Sequence, residues 1–436
     1  MTNGYARASS AFLCFGVLQS LLAFSCNSEQ PSTTASDAAT LPDAQPDSAI
    51  PGDATSDPPG DVTNESTALT SCPAAPTAPL TPSAASGDPS FQDGIPCGSL
   101  FAAARIHSDD KISTSGFESS PSDGGSGVLG LTVRRFLPDG STDTSFGNAG
   151  KAIVAPIADA YFQQRPVRLG LGAVSGSLVA GTTQDWYMDS NWLTAWIGAD
   201  GAVLNVAGPP HGNDPRPRWL NDLAVAPDDS LRLAVGGGYE EAGFGAVVRA
   251  DSQGAIAWRY ETSQFFVPTQ IFALGDQTVA MGNSRDAPDF WVLKLDGDGS
   301  PVASFGSGGS LALPNERGIG AVQPDGSIVL ALSDPPRLVG LDSAGSFTHC
   351  FGSEAGAWTA FNALQVAPDG RIIVGGAMGP KENPTTVVAR YLSDGSPDIT
   401  FGGNGYAVVP SSSLVGIQSG NRILSCESGV MKRYLP

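Results

Sequence analysis

From Val387 to Leu392 the chain alternates. Val387, Ala389 and Tyr391 fall on one face of an extended strand, and Val388, Arg390 and Leu392 on the other. Ser393-Asp394-Gly395-Ser396 follows as a tight turn. Aspartate accepts a hydrogen bond from backbone two residues on, and glycine tolerates the positive φ that such a turn needs. The pattern predicts a return strand over Pro397 to Thr400, closed by Phe401 as an apolar plug and released by Gly402 and Gly403.

Copies of this unit recur at Leu131 to Gly150 and at Phe290 to Gly309, with weaker ones at Trp192 to Gly201, Val247 to Gly254 and Leu338 to Gly352. Their turn glycines, Gly140, Gly201, Gly254, Gly299, Gly345 and Gly395, are spaced by 61, 53, 45, 46 and 50 residues. A second hairpin precedes each copy, clearest at Leu364 to Gly376, Ala321 to Leu330 and Leu223 to Gly237. Four short strands per repeat of about fifty residues is the signature of a propeller blade. The expected fold is all-β: a seven-bladed β-propeller of four-stranded antiparallel blades over residues 86–436.

The pairing of a Pro-Asp-Gly hairpin with an Asp-Gly…Phe-Gly hairpin, as in Leu364 to Gly376 and Val387 to Tyr406, resembles the delta-60 repeat family of bacterial β-propellers. The resemblance covers roughly Gly87 to the C-terminus. It implies the fold and is nearly silent on activity.

The chain ends at Lys432-Arg433-Tyr434-Leu435-Pro436, in the middle of a unit, and Ser86-Gly87-Asp88-Pro89-Ser90-Phe91 resembles the missing half. Residues 86–94 are therefore expected to complete the last blade with residues 415–436, leaving no open edge in the ring.

Ahead of the propeller, residues 1–25 read as a signal peptide with an apolar run from Ala11 to Phe24. Ala23-Phe24-Ser25-Cys26 resembles a bacterial lipobox, with Cys26 as the lipidated residue; Phe24 and Ala23 depart from the usual pattern, and ordinary signal-peptidase cleavage is the alternative. Residues 26–85 are dominated by Ser, Thr, Ala, Pro and Asp, without lysine, arginine or aromatic residues. Such a segment cannot bury enough apolar surface to offset its ordering entropy, so a disordered tether is expected. This organisation points to a protein lipid-anchored in the outer membrane, with a secreted or periplasmic location as the alternative.

The net charge of −20 makes nucleic acid and anionic membrane surfaces poor partners. Contact with the membrane is expected through the lipid anchor only, and the propeller as a monomer. Beyond Cys14 and Cys26, four cysteines remain: Cys72, Cys97, Cys350 and Cys426. Cys97 and Cys426 both flank the closing blade and are expected to pair, with Cys72 as a rival partner for Cys97. Cys350 stands in a strand position and is expected as a buried free thiol.

No catalytic or metal-ligating constellation emerges, and no cofactor is implied. His107, His211 and His349 stand outside any Ser/His/Asp or His-x-x-His arrangement. Asp296-Gly297-Asp298-Gly299-Ser300 has alternate oxygens, but it occupies the turn of its repeat. Trp192, Phe290, Trp291, Phe146, Phe305 and Phe401 hold repeat positions and are expected in the core. Tyr161, Phe162, Trp186, Tyr187, Tyr239 and Trp358 fall between strands, and Trp219 lies just before one. Together they are the candidate ligand-binding face, on the side of the ring carrying the connections of most variable length. The reading is a binding or scaffolding module for an envelope protein or glycan. The alternative is a hydrolase or lyase with its site at the channel mouth, for which facing Asp, His and Arg side chains would speak.

Overall fold

The computed structural model describes residues 83–92, 94–97, 103–119, 129–154, 168–172, 178–186, 189–208, 219–236, 245–262, 266–284, 287–333, 335–352, 358–380, 382–410 and 413–436. Two short strands, β1 (Ser83–Ala84) and β2 (Ser86–Gly87), come first. Blade 1 is β3 (Ala104–Ile106), β4 (Ile112–Ser119), β5 (Leu129–Phe136) and β6 (Lys151–Val154). Blade 2 is β7 (Arg168–Leu171), β8 (Leu178–Trp186), β9 (Asp189–Ile197) and β10 (Val203–Ala207). Blade 3 is β11 (Leu220–Val225), β12 (Leu231–Gly236), β13 (Gly245–Ala250) and β14 (Ile256–Glu261). Blade 4 is β15 (Val267–Leu274), β16 (Gln277–Asn283), β17 (Phe290–Leu295) and β18 (Ser310–Leu313). Blade 5 is β19 (Gly318–Val322), β20 (Ile328–Ser333), β21 (Pro336–Leu341) and β22 (Phe347–Phe351). Blade 6 is β23 (Trp358–Val366), β24 (Ile372–Met378), β25 (Thr385–Tyr391) and β26 (Tyr406–Val408). Blade 7 is β27 (Ser413–Gln418), β28 (Arg422–Glu427) and β29 (Val430–Leu435), with β2 as its fourth strand.

The first strand of each blade touches the first strand of the next, from β3 through β7, β11, β15, β19 and β23 to β27, and β27 meets β3 again. The fold is a closed seven-bladed propeller, with these strands around its channel. Each blade is a small sheet with two faces to bury, and the core divides accordingly. Seven hydrophobic clusters occupy the seven junctions between neighbouring blades. Alternation within a strand decides which junction a side chain joins. Val387, Ala389 and Tyr391 pack with residues of blade 5, whereas Val388 packs toward blade 7. Central strands such as Leu231–Gly236 are buried at every residue, as expected when both faces are covered.

Blade 7 is completed from the other end of the chain. Ser86 pairs with Leu435 and Gly87 with Tyr434, the Asp88 amide donates to the Arg433 carbonyl, and Pro96 bridges Val430. Ring closure thus follows the expected segment. The chain joins the propeller slightly earlier than the boundary at residue 86 implies. β1 adds a fifth strand, parallel, to the outer edge of β26, with Ser83 opposite Ala407.

The expected return strand is displaced. Pro397 to Thr400 make only a bridge from Pro397 to Tyr391 and then a turn; the outer strand of blade 6 is β26, beyond the glycines. Blades 1 and 4 do the same, with β6 and β18 following Gly150 and Gly309. The displacement has a local cause. The Asp398 amide donates to the Arg390 carbonyl and the Phe401 amide to the Asp398 carbonyl, curling the segment back onto the strand it has just left. Phe401 is fully buried there, as are Phe146 and Phe305, and Trp192 and Phe290 are also core; Trp291 is only partly buried.

Candidate functional site

Two sets of polar side chains organise the described part of the ring. The first is a basic residue five positions before four of the six turn glycines: Arg135, Arg249, Lys294 and Arg390 stand so before Gly140, Gly254, Gly299 and Gly395. In blades 1 and 6 the arginine Nε donates to an aspartate Oδ2 at 2.8 Å, Arg135 to Asp143 and Arg390 to Asp398. The guanidinium carbon then lies 4.4 Å from the Phe146 ring centroid and 4.8 Å from that of Phe401. Blade 7 rebuilds the arrangement from both chain ends: Arg433 donates to Asp88 at 2.9 Å and covers Phe91 at 4.7 Å.

The same basic residues reach forward to the turn carbonyls of the following blade. Arg135 donates to Ala199, Arg249 to Gly297, Lys294 to Ser343 and Arg433 to Pro138. For Asp398 and Asp143, burial would raise the carboxyl. Hydrogen bonds from Thr400 or Ser145, together with the arginine charge, outweigh it and hold both below the ordinary value. For Asp88 the hydrogen bond from Ser90 is the largest influence, and the direction is the same. The recurrence of Arg or Lys at one register of an otherwise apolar strand was visible in the sequence. Its meaning was not, because partner carboxylates and carbonyls come from a turn and from another blade.

The second set lines the channel. Arg168, Asp222 and Gln270 stand on the inner strands of blades 2, 3 and 4, and each ties its strand to the next. Arg168 Nε donates to the Asn221 carbonyl at 2.5 Å. Asp222 Oδ2 accepts from the Ile271 amide at 3.0 Å. Gln270 accepts from the Gly320 amide at 2.8 Å and donates to the Gly320 carbonyl at 3.1 Å. Asn221 Nδ2 donates to Pro268, and Gln365 Nε2 to Val415. Register shifts in β11, β15, β23 and β27 break the regular ladder beside these side chains, and the amides and carbonyls so freed find side-chain partners.

Arg105, on β3, is exposed, and its hydrogen bond goes to the adjacent Ala104 carbonyl. Its charge reaches Asp222 and also Arg168. Burial dominates at Asp222 and pushes its carboxyl up, against the pull of Arg105 and then Arg168. Burial likewise lowers Arg168, with Asp222 opposing and Arg105 reinforcing the shift. This trio supplies the Asp and Arg of a channel cluster. His107 and His349, the described histidines, sit elsewhere, His107 Nε2 at 2.7 Å from Ser113 Oγ and the His349 ring tilted by 34° against that of Phe351. Among the described residues no group of three or more His, Cys, Asp or Glu could hold a metal ion.

The expected aromatic face is redistributed. Trp358 does not lie in an exposed connection: it opens β23, is 5% exposed, and donates its Nε1 to the Gly352 carbonyl at 3.1 Å. An indole at the start of an inner strand has a junction core to fill, and it packs there with Leu364 and Met378. Trp186 does not fall between strands: it is the last residue of β8, paired through its backbone with Asp189. Trp219 precedes β11 and is partly buried. Tyr161, Phe162, Tyr187, Tyr239, His211, Cys26 and Cys72 lie outside the described residues. The structure joins Cys97 to Cys426 in a disulfide with Cα atoms 5.8 Å apart. Cys350 is disulfide-bonded as well, not a free thiol. It stands on β22, the outermost strand of its blade, where the chain edge is accessible to a bond partner.

Residues 367–401 match the family described as "Domain of unknown function (DUF5122) beta-propeller". The stretch spans the Asp-Gly turn before β24 and continues through β25 to Phe401. No curated protein matches the chain. Among solved structures, the β-propeller domain of the Trilobed protease from Pyrococcus furiosus is similar at 8% identity and a TM-score of 0.44, covering 78% of this chain and 94% of that one. Prolyl oligopeptidase B from Galerina marginata is similar at 11% identity and a TM-score of 0.44, over 71% of this chain and 42% of that one. Sqt1 from Chaetomium thermophilum is similar at 12% identity and a TM-score of 0.41, over 77% and 96% of the two chains. These are likenesses of architecture and carry nothing about activity.

Proposed function

We propose that this protein is an envelope lipoprotein of the delta-60 repeat type, anchored in the outer membrane through Cys26, whose propeller is a binding or scaffolding module for an envelope protein or glycan. The observation that carries the binding role is the closed ring. Seven blades are tied junction by junction through buried clusters and side-chain clasps, and the last is completed by residues from the opposite terminus. A frame so tied is a rigid platform, and connections on a rigid platform are where recognition resides. Antiparallel order puts the second-to-third-strand connections and the blade-to-blade connections on one face. The sequence reading assigns Tyr161, Phe162, Tyr187 and Tyr239 to those connections, while Trp186 ends β8 and Trp219 precedes β11.

Capture of envelope fractions and glycans on the full chain tests this reading. A specific partner should be retained, and alanine at both Trp186 and Tyr187 should weaken retention, while Ser327→Ala on the opposite, short-turn face should not. Cys26→Ala should move the protein from the membrane fraction to the soluble one. Equal retention by the Trp186/Tyr187 double variant would place recognition elsewhere, and unchanged partitioning would remove the anchor.

A further inference from the structure

The charge balance of the channel wall is uneven. Arg105 and Arg168 come from neighbouring inner strands, β3 and β7, which touch. Among the described residues neither has a carboxylate within ion-pair distance. Arg168 spends its Nε on the Asn221 carbonyl, and Arg105 spends one terminal nitrogen on the Ala104 carbonyl. The remaining donors of two guanidinium forks have no protein acceptor among the described residues. The neighbouring acid, Asp222, is already engaged by the Ile271 amide. Two positive groups and one negative group leave one uncompensated positive charge in a chain whose total is −20. Arg135, Arg390 and Arg433, by contrast, each hold an aspartate at 2.8 to 2.9 Å.

We infer that the channel wall between blades 1 and 3 is a binding site for a small monocarboxylate, held between the guanidinium groups of Arg105 and Arg168. A planar carboxylate matches the fork geometry of arginine, and a single negative charge matches the balance of the wall. A dianion such as phosphate meets Asp222 as well and is disfavoured by it. Arg168 is held in place by its bond to blade 3, so it supplies a fixed half of the site. Arg105, exposed and bonded only to its own neighbour, supplies the adaptable half. The site rests on the reading of the propeller as a binding module and names the chemistry such a module would take in its channel.

Isothermal titration calorimetry on the purified full chain, at fixed ionic strength, tests it with acetate, glucuronate and inorganic phosphate, and with glucose as the uncharged control. Acetate or glucuronate should bind saturably at one site. Arg105→Gln should weaken that binding about tenfold or more, the loss expected when one charge-assisted pair is removed. Arg371→Gln, on the short-turn face, should leave it unchanged. Arg168→Lys keeps the charge but loses the Nε bond and should weaken binding too; if it does not fold, Arg105→Gln alone decides, since that side chain is exposed. Preference for glucuronate over acetate would mark a sugar acid as the source of the carboxylate, and equal binding a simple organic acid. Absence of binding, equal affinity in Arg105→Gln, or tighter binding of phosphate would overturn the inference while leaving the captured envelope partner untouched. Chemical conversion of the bound acid, followed by proton NMR, would uphold the site and overturn the binding-module reading beneath it.

Discussion

Gly201 is constrained twice. Its φ of +85° is left-handed, and a Cβ there would stand 2.2 Å from the Gly147 nitrogen of the preceding blade. The Gly147 amide in turn donates to the Asp200 carbonyl at 2.7 Å. Gly403 has a similar φ of +78° with nothing near the place of its Cβ. Alanine at Gly403 should therefore cost about 1 kcal/mol, from backbone strain alone. Alanine at Gly201 should cost clearly more, because it also parts two blades, and urea denaturation of the two variants separates the terms. The carboxylates of the arginine clasps set a pH dependence of known sign. Asp88, Asp143 and Asp398 all titrate below the ordinary 3.8 when folded. Their contribution is fully present above that value and is lost as the pH falls through the depressed folded values. Melting temperature should be insensitive to these three groups above about pH 4 and fall below it, and a fall beginning well above that would assign acid sensitivity to other groups.

At the scale of elements, the closing blade depends on contacts of very long sequence separation. β2 and the residues up to Cys97 are held on β29 by backbone bonds and by the bridge from Cys97 to Cys426, which spans 329 residues. Opening that bridge should lower stability by about 2–4 kcal/mol, read as a drop in the urea midpoint of the Cys97→Ser, Cys426→Ser variant. Non-reducing peptide mapping should recover Cys97 with Cys426, and Cys350 in a second linked peptide. A Cys97 peptide joined to Cys72 would contradict this pairing. The outer strands illustrate a different lesson. In blades 1, 4 and 6 the Phe-Gly segment delays the fourth strand, while in blades 2, 3 and 5 the strand follows the turn directly.

For the whole molecule, the informative comparison is between Asp88 and Asp143. Both serve an arginine through the same geometry, at 2.9 and 2.8 Å, but only Asp88 joins the two ends of the chain. Asn at either position should cost about 3 kcal/mol, the loss for one partner of a buried pair. Only Asp88→Asn, with the bridge reduced, should also speed hydrogen exchange at the Met431 and Cys97 amides, which bond Ile95 and Gly429 across the closure. Equal exchange in the two variants would show that the terminal strand is held by its apolar contacts, Phe91 and Ile95 among them, rather than by the ion pair.

Fold class, blade count and the shared last blade were legible in the chain, because each depends on local signals repeated at near-constant spacing. Alternation specifies a strand, Asp-Gly a turn, and an unfinished unit at one end matched by its remainder at the other specifies closure. The tertiary structure alone decided where the outer strands run, since Pro397 to Thr400 have strand composition but are curled back by Arg390 and Asp398. It also decided that Trp358 is core, because a residue at the start of a repeat becomes buried only when the preceding blade packs against its sheet. The channel wall was invisible in sequence for the same reason. Arg105, Arg168 and Asp222 lie in three successive repeats, and only the packing of one blade's inner strand on the next brings their charges within reach of one another.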